Sequence, residues 1–164
     1  MDKGKFGRLD RLVKEKRHDP YQSREKFPES TLCPDCGAVY TGGRWVWMQE
    51  KPYKTTKVLC PACRRTKEKM PAGIIELQGR FLKTHGEEIL NLVRNEEKAE
   101  KLEHPLERIM AIEQDQDDNR ITITTTGIHL AKRIGEAVRR SYQGEYSLEY
   151  GDGEKSVRIK WKRD

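Results

Sequence analysis

Cys33-Pro34-Asp35-Cys36-Gly37 and Cys60-Pro61-Ala62-Cys63-Arg64 are the two stretches from which the rest of this chain is read. Each holds two cysteines with two residues between them, and the gap from 37 to 59 separates the pairs by 23 residues. A C-x2-C turn aims both sulfurs at one cation and turns backbone amides towards the thiolates, and two such turns complete a tetrahedron around zinc. Gly37 supplies the left-handed backbone such a turn needs. The gap exceeds the usual ribbon spacing, which predicts a longer hairpin. Between the pairs lie Tyr40, Trp45, Val46, Trp47 and Val58, with Gly42-Gly43 as a turn. This reads as short strands joined by turns, a zinc ribbon over residues 32–71 holding one structural Zn2+ through Cys33, Cys36, Cys60 and Cys63.

Two other thiol chemistries are open at this point. An iron–sulfur centre uses the same ligand number. A thioredoxin-like redox pair needs a strand before and a helix after its first cysteine. The stretch Gly37-Ala38-Val39-Tyr40-Thr41-Gly42-Gly43 does not read as that helix. His18, His85, His104 and His129 stand at no ligand offset from the cysteines, and no nucleophile–base pair or phosphate loop is present, so no catalytic residue and no small-molecule substrate are inferred. Asp115, Asp117 and Asp118 lack the Gly and Glu of a calcium loop and read as a turn.

Outward from the cysteines the chain divides in three. Residues 1–31 carry nine Lys/Arg against six Asp/Glu and read as a basic tail, with Phe6, Leu9, Leu12 and Val13 too few to stabilise a helix alone. Residues 32–71 carry eight against three, and residues 72–164 sixteen against eighteen. The excess behind the net charge of +6 thus lies in the first 71 residues, where a polyanion would bind. With hydrophobic residues at 34% and charged residues at 37%, a metal-held module beside a small core fits better than one large core.

From Gly73 the period of the pattern alternates between strand and helix. Gly73–Gly79 reads as a strand. Leu82, Gly86, Ile89, Leu90 and Val93 share a face of a helix over roughly 81–98, with Glu96 to Glu103 a charged continuation or loop. Arg108–Glu113 and Arg120–Thr125 read as strands. Thr126 is the expected N-cap of a second helix carrying Leu130, Ala131, Ile134, Ala137, Val138 and Tyr142, which Gly144 ends. Tyr146–Tyr150 and Val157–Trp161 alternate as two last strands. The class is α+β, and the order β-α-β-β-α-β-β over 72–164 begins as the ferredoxin-like order does.

The basic residues of the ribbon are the candidate nucleic-acid contacts: Arg44, Lys54, Lys57, Arg64, Arg65 and Lys67, with Trp45 as a stacking platform if exposed. At least one of Trp45 and Trp47 is expected in the ribbon's core. Lys132, Arg133, Arg139 and Arg140 read as a solvated, salt-bridged helix face. No apolar run reaches the roughly 18–20 residues of a membrane span, and the N-terminus has no secretory stretch, so a cytoplasmic chain is expected.

Cys60-Pro61-Ala62-Cys63-Arg64-Arg65, followed by Pro71-Ala72-Gly73-Ile74-Ile75-Glu76-Leu77-Gln78-Gly79, resembles the zinc-binding N-terminal region of the archaeal and eukaryotic 60S ribosomal export adaptor. There too the last zinc knuckle runs through paired arginines into a strand. The resemblance extends over about residues 33–150, and the layout is also similar to short bacterial zinc-ribbon proteins of unknown function. It implies the four zinc ligands and a partnership with RNA or the ribosome, the large subunit in particular. The adaptor family has more zinc-binding cysteines, so an export role does not carry over. The expected function is non-catalytic binding of structured RNA; the alternatives are a zinc-dependent protein-interaction adaptor and a thiol oxidoreductase.

Overall fold

Gly42 and Gly43 both adopt left-handed backbone, at φ 60° and 81°, and so fold the chain back tightly between strands β2 (Val39–Thr41) and β3 (Arg44–Val46). The computed structural model describes residues 27–151, 153 and 155–164. The basic tail expected over residues 1–31 lies outside the described residues except for 27–31, and those belong to the ribbon. Phe27 packs edge-on against Tyr40 and Trp45, at ring separations of 5.2 and 5.4 Å. Strand β1 (Thr31–Leu32) pairs antiparallel with β2 and parallel with β4 (Thr56–Lys57), giving the sheet order β3-β2-β1-β4. Helix α1 (Pro61–Glu68) follows, started by Pro61 at its first turn, where the missing N–H costs nothing.

The second unit is α+β, as its alternating periods require. Strand β5 (Gly73–Gln78) leads to α2 (Phe81–Glu103), then β6 (Ile109–Asp115), β7 (Arg120–Thr125), α3 (Ile128–Tyr142), β8 (Glu145–Tyr150) and β9 (Val157–Lys162). Helix α2 runs through the charged stretch 96–103 and stops at His104, before Pro105. Buried Ile75, Leu77, Ile123, Ile159 and Trp161 line one face of the sheet, and Ile89, Leu90, Val93, Ile134 and Val138 of the two helices close over it. The alternate residues of β9, Arg158, Lys160 and Lys162, are exposed.

The sheet order is β6-β7-β5-β9-β8. The pairings β6–β7 and β7–β5 are antiparallel, as in a split β-α-β unit. The ferredoxin-like pattern would then set the strand after the second helix beside β5. Here the last strand, β9, occupies that place, parallel to β5, and β8 is displaced to the edge. Side chains explain the exchange. Val157, Ile159 and Trp161 are buried, whereas Tyr146 and Leu148 of β8 are only half-buried and its other residues exposed. The more apolar strand takes the central place, and the strand carrying Glu145 and Glu149 takes the edge.

Thr126 does not cap α3. Gly127 stands at the N-cap, and the orphan N–H of Leu130 is satisfied by the Glu107 carboxylate at 3.1 Å. Burial pushes the Glu107 carboxyl upward, although the Leu130 N–H draws it down. Its folded pKa thus lies above the ordinary value of 4.5, so the stability it contributes is present below that value and lost as pH rises through the folded pKa. The stability of the native protein relative to Glu107→Gln is therefore expected to fall as pH is raised from about 4.5 towards neutrality. Urea midpoints of the two proteins across that range check it, because effects of pH on the shared metal site cancel. A difference independent of pH rules the linkage out.

Candidate metal centre

Four sulfurs meet where β1, the turn at Gly37 and the start of α1 converge. Cys33 and Cys60 are fully buried, Cys63 is 9% exposed and Cys36 half-buried. Their Sγ atoms all lie within 4.8 Å of one another. A tetrahedral zinc with Zn–S bonds of about 2.3 Å sets its sulfurs roughly 3.8 Å apart. The Cys36 and Cys60 sulfurs, one from each motif, are 3.8 Å apart. The donor set therefore fits one metal ion.

The local backbone serves the sulfurs as the spacing predicts, but the two motifs are not alike. In the first, Gly37 at φ 82° closes a turn with its N–H on the Cys33 carbonyl at 3.0 Å, and the Ala38 N–H reaches the Cys36 sulfur at 3.5 Å. In the second, Cys60 is the N-cap of α1 and its sulfur accepts from the Cys63 N–H at 3.4 Å. The Cys60 N–H crosses to the Cys33 sulfur at 3.3 Å and so ties the motifs together.

The electrostatics divide the thiols. The hydrogen bond from Cys60 lowers the Cys36 thiol to about 4, against its own burial and with help from the Ala38 N–H and Arg108. The same bond and burial raise the Cys60 thiol, and burial raises that of Cys63. A cation among the four sulfurs takes over the place of these shared protons.

Arg108 completes the centre from the other unit. Its Nη1 donates to the Cys63 sulfur at 3.2 Å, and its Nη2 to those of Cys36 at 3.1 Å and Cys60 at 3.4 Å. Its Nε donates to the Pro105 carbonyl at 2.7 Å, and its guanidinium lies 5.8 Å over the Trp47 ring. Burial alone would lower the Arg108 pKa, but the three sulfurs outweigh it and raise it. The segment presenting Arg108 is itself held. Thr126 Oγ1 donates to the Leu106 carbonyl at 2.6 Å and accepts from the Arg108 N–H at 2.9 Å, and the Ile109 N–H donates to Glu97. A register shift between Ile109 and Ala111 follows directly.

The basic residues divide. Arg44, Lys54, Lys57, Arg64 and Lys67 are exposed. Arg64 pairs with Glu68 at 3.1 Å, and Lys67 with Asp35 at 3.2 Å. Arg65 is 8% exposed and donates to the Met70 carbonyl at 2.8 Å at the end of α1. Neighbouring residues on a helix diverge by about 100°, so the Arg64–Arg65 pair cannot share one surface. Trp45 is buried against Tyr40, and Trp47 donates its indole N–H to the Lys101 carbonyl at 2.7 Å. Neither is left as a free stacking platform. Sequence reading passed over Tyr53, which is fully exposed in the loop that also bears Lys51 and Lys54. It also passed over Arg108, for which no spacing rule exists. A lone aromatic between Lys51 and Lys54, beside the turn-forming Pro52, was the available signal for Tyr53.

Fold and site together define a four-cysteine cluster able to hold a metal ion, seated on an α+β unit through a guanidinium. The chain matches no protein-family model, no curated protein and no solved structure. No helix among the described residues is long and apolar enough to cross a membrane.

Proposed function

We propose that the centre holds one structural zinc ion and that the protein is a non-catalytic module binding structured RNA through the outer surface of its ribbon, with the large ribosomal subunit as the favoured setting. The observation that carries the structural role is the sealing of the centre. Four thiol sulfurs supply a full tetrahedral set, two are fully buried, and the guanidinium covers the side that Cys36 leaves open. A catalytic zinc keeps an open position for water, and a redox pair needs an accessible attacking thiol. Neither suits this arrangement.

The RNA reading is supported by the ribbon's outer surface. Arg44, Lys54, Lys57 and Arg64 are exposed residues of the ribbon, and Tyr53, next to Lys54 in the chain, is fully exposed. Phosphates take the cations and an unstacked base takes the phenol ring. The test is fluorescence anisotropy of a labelled RNA hairpin, and of a fragment of large-subunit RNA, across a potassium chloride series. Lys54→Ala and Lys57→Ala are each expected to reduce the salt slope by about 1. Tyr53→Ala is expected to lose about 1–3 kcal/mol of binding with the slope unchanged. Binding that ignores salt, or survives all three changes, rejects the reading.

Arg64→Ala and Arg65→Ala separate surface from interior. Arg64→Ala is expected to weaken RNA binding and leave stability alone. Arg65→Ala removes a buried donor from the Met70 carbonyl and is expected to cost about 1–3 kcal/mol of stability. Chemical denaturation of both variants checks this, and equal stabilities contradict it.

One observation favours a protein partner as the second reading. A groove of about 870 Å³ runs between ribbon and α+β unit, with Trp47, Leu106 and the 70%-exposed Leu102 on its walls. Salt-insensitive binding of a polypeptide, lost on Leu102→Glu, would favour the adaptor.

A further inference from the structure

Three of the four sulfurs that would hold the metal receive hydrogen bonds from one side chain, Arg108, which lies 45 residues after Cys63 in a different structural unit. The fork is not loosely placed. Its Nε is pinned to Pro105, one face is covered by Trp47, and its backbone is clamped by Thr126 on both N–H and carbonyl. The contact is also matched in charge. Four thiolates around a divalent cation leave two negative charges, and the guanidinium opposes one of them. Two further contacts among the described residues cross the same junction. The Trp47 indole reaches Lys101 only when the ribbon lies against the end of α2, and Leu106 packs on the ribbon's aromatic cluster.

We propose that Arg108 is a positioning residue of the metal centre and that it makes metal occupancy and docking of the ribbon on the α+β unit a single equilibrium. The inference rests on the zinc reading and extends it. Metal gathers the four sulfurs into the arrangement that the Arg108 fork reaches; without it no metal–sulfur bond holds Cys36, Cys60 and Cys63 together beneath the guanidinium. Binding energy shared between the two events must act in both directions, so docking tightens the metal and metal tightens docking. The groove between the units, with Trp47, Leu102, His104 and His129 on its walls, then keeps its shape only while the centre is loaded. The metal state of four cysteines thereby controls an interaction surface.

The experiment uses the full chain, native and with Arg108→Gln or Arg108→Lys. Metal content is read by native mass spectrometry, zinc affinity by chelator competition, and the ligand field by the thiolate-to-metal charge-transfer band of the cobalt(II) form. Amide hydrogen exchange is followed with and without zinc. Arg108→Gln is expected to lose about 10–100-fold in zinc affinity. Its charge-transfer band should move to lower energy, because thiolates without N–H donors hold their electrons less tightly. Arg108→Lys should recover only part of the affinity, since one ammonium cannot satisfy three sulfurs and Pro105 together. Zinc removal from the native chain should raise exchange at residues 104–109 together with the ribbon, while β5 and β9 stay protected. A shifted cobalt band is a change that a purely structural role of Arg108 would not cause. Arg108→Gln that binds zinc within about twofold of native with an unmoved band overturns the proposal and leaves the zinc reading standing. So does zinc removal that leaves residues 104–109 protected, an arm that needs no variant to fold. Native protein carrying no metal overturns both.

Discussion

Removing the metal proposed for the centre, or replacing Cys60 by serine, should collapse the ribbon while most of the helix content survives. The ribbon's own apolar core consists of Phe27, Ala38, Tyr40, Trp45, Ala62 and little more. Domains below about 40 residues seldom bury enough surface to fold unaided. Metal binding energy, about 10–16 kcal/mol in zinc-finger peptides, is therefore expected to supply the ribbon's folding energy. Cys60 carries more than its share. It is fully buried, caps α1, accepts from the Cys63 N–H and donates its own N–H to Cys33. Chelation should abolish the near-ultraviolet circular dichroism of Trp45, whose ring packs edge-on against Phe27 and Tyr40 of the ribbon. Far-ultraviolet signal from α2 and α3 should change little. Retention of the near-ultraviolet signal after complete metal loss would show that the ribbon folds without its ion.

Trp161→Ala should be the most destabilising single substitution in the α+β unit, at about 3–5 kcal/mol. Trp161 is 1% exposed, sits on a strand between β5 and β8, and meets the Phe81 ring at 6.2 Å. Its indole N–H also donates to the Gln143 carbonyl at the end of α3, and a side chain at Gly144 would lie 2.8 Å from the indole nitrogen. Alanine thus leaves a large cavity and an unsatisfied carbonyl together. Small domains are stable by only about 5–15 kcal/mol, so much of that margin would be lost. Urea denaturation followed at far-ultraviolet wavelengths measures it. Trp161→Phe, which refills most of the volume, should cost markedly less. A loss below about 1 kcal/mol for the alanine variant would mean that the site collapses freely around the gap.

The sequence alone determined what depends on neighbours along the chain. Two C-x2-C motifs specify which sulfurs converge, because a chelating turn is local geometry. Alternation at Val157, Ile159 and Trp161, and the helical stripe from Leu130 to Val138, specify which faces are buried, because backbone period ties side-chain direction to position. Local reading went wrong where a residue's neighbour in sequence was not its neighbour in space. Arg65 looked like a twin of Arg64 until α1 turned it inward. Thr126 looked like a cap, but its hydroxyl is taken by Leu106 and Arg108, and the cap comes from Glu107, 23 residues before Leu130. The place of β9 between β5 and β8 was decided by competition between two strands for one buried slot. The Arg108 contact was decided by tertiary structure for the same reason. A guanidinium meets three sulfurs 45 to 72 residues away only after two separately patterned units have docked, and nothing in the local physics of Glu107-Arg108-Ile109 encodes that meeting.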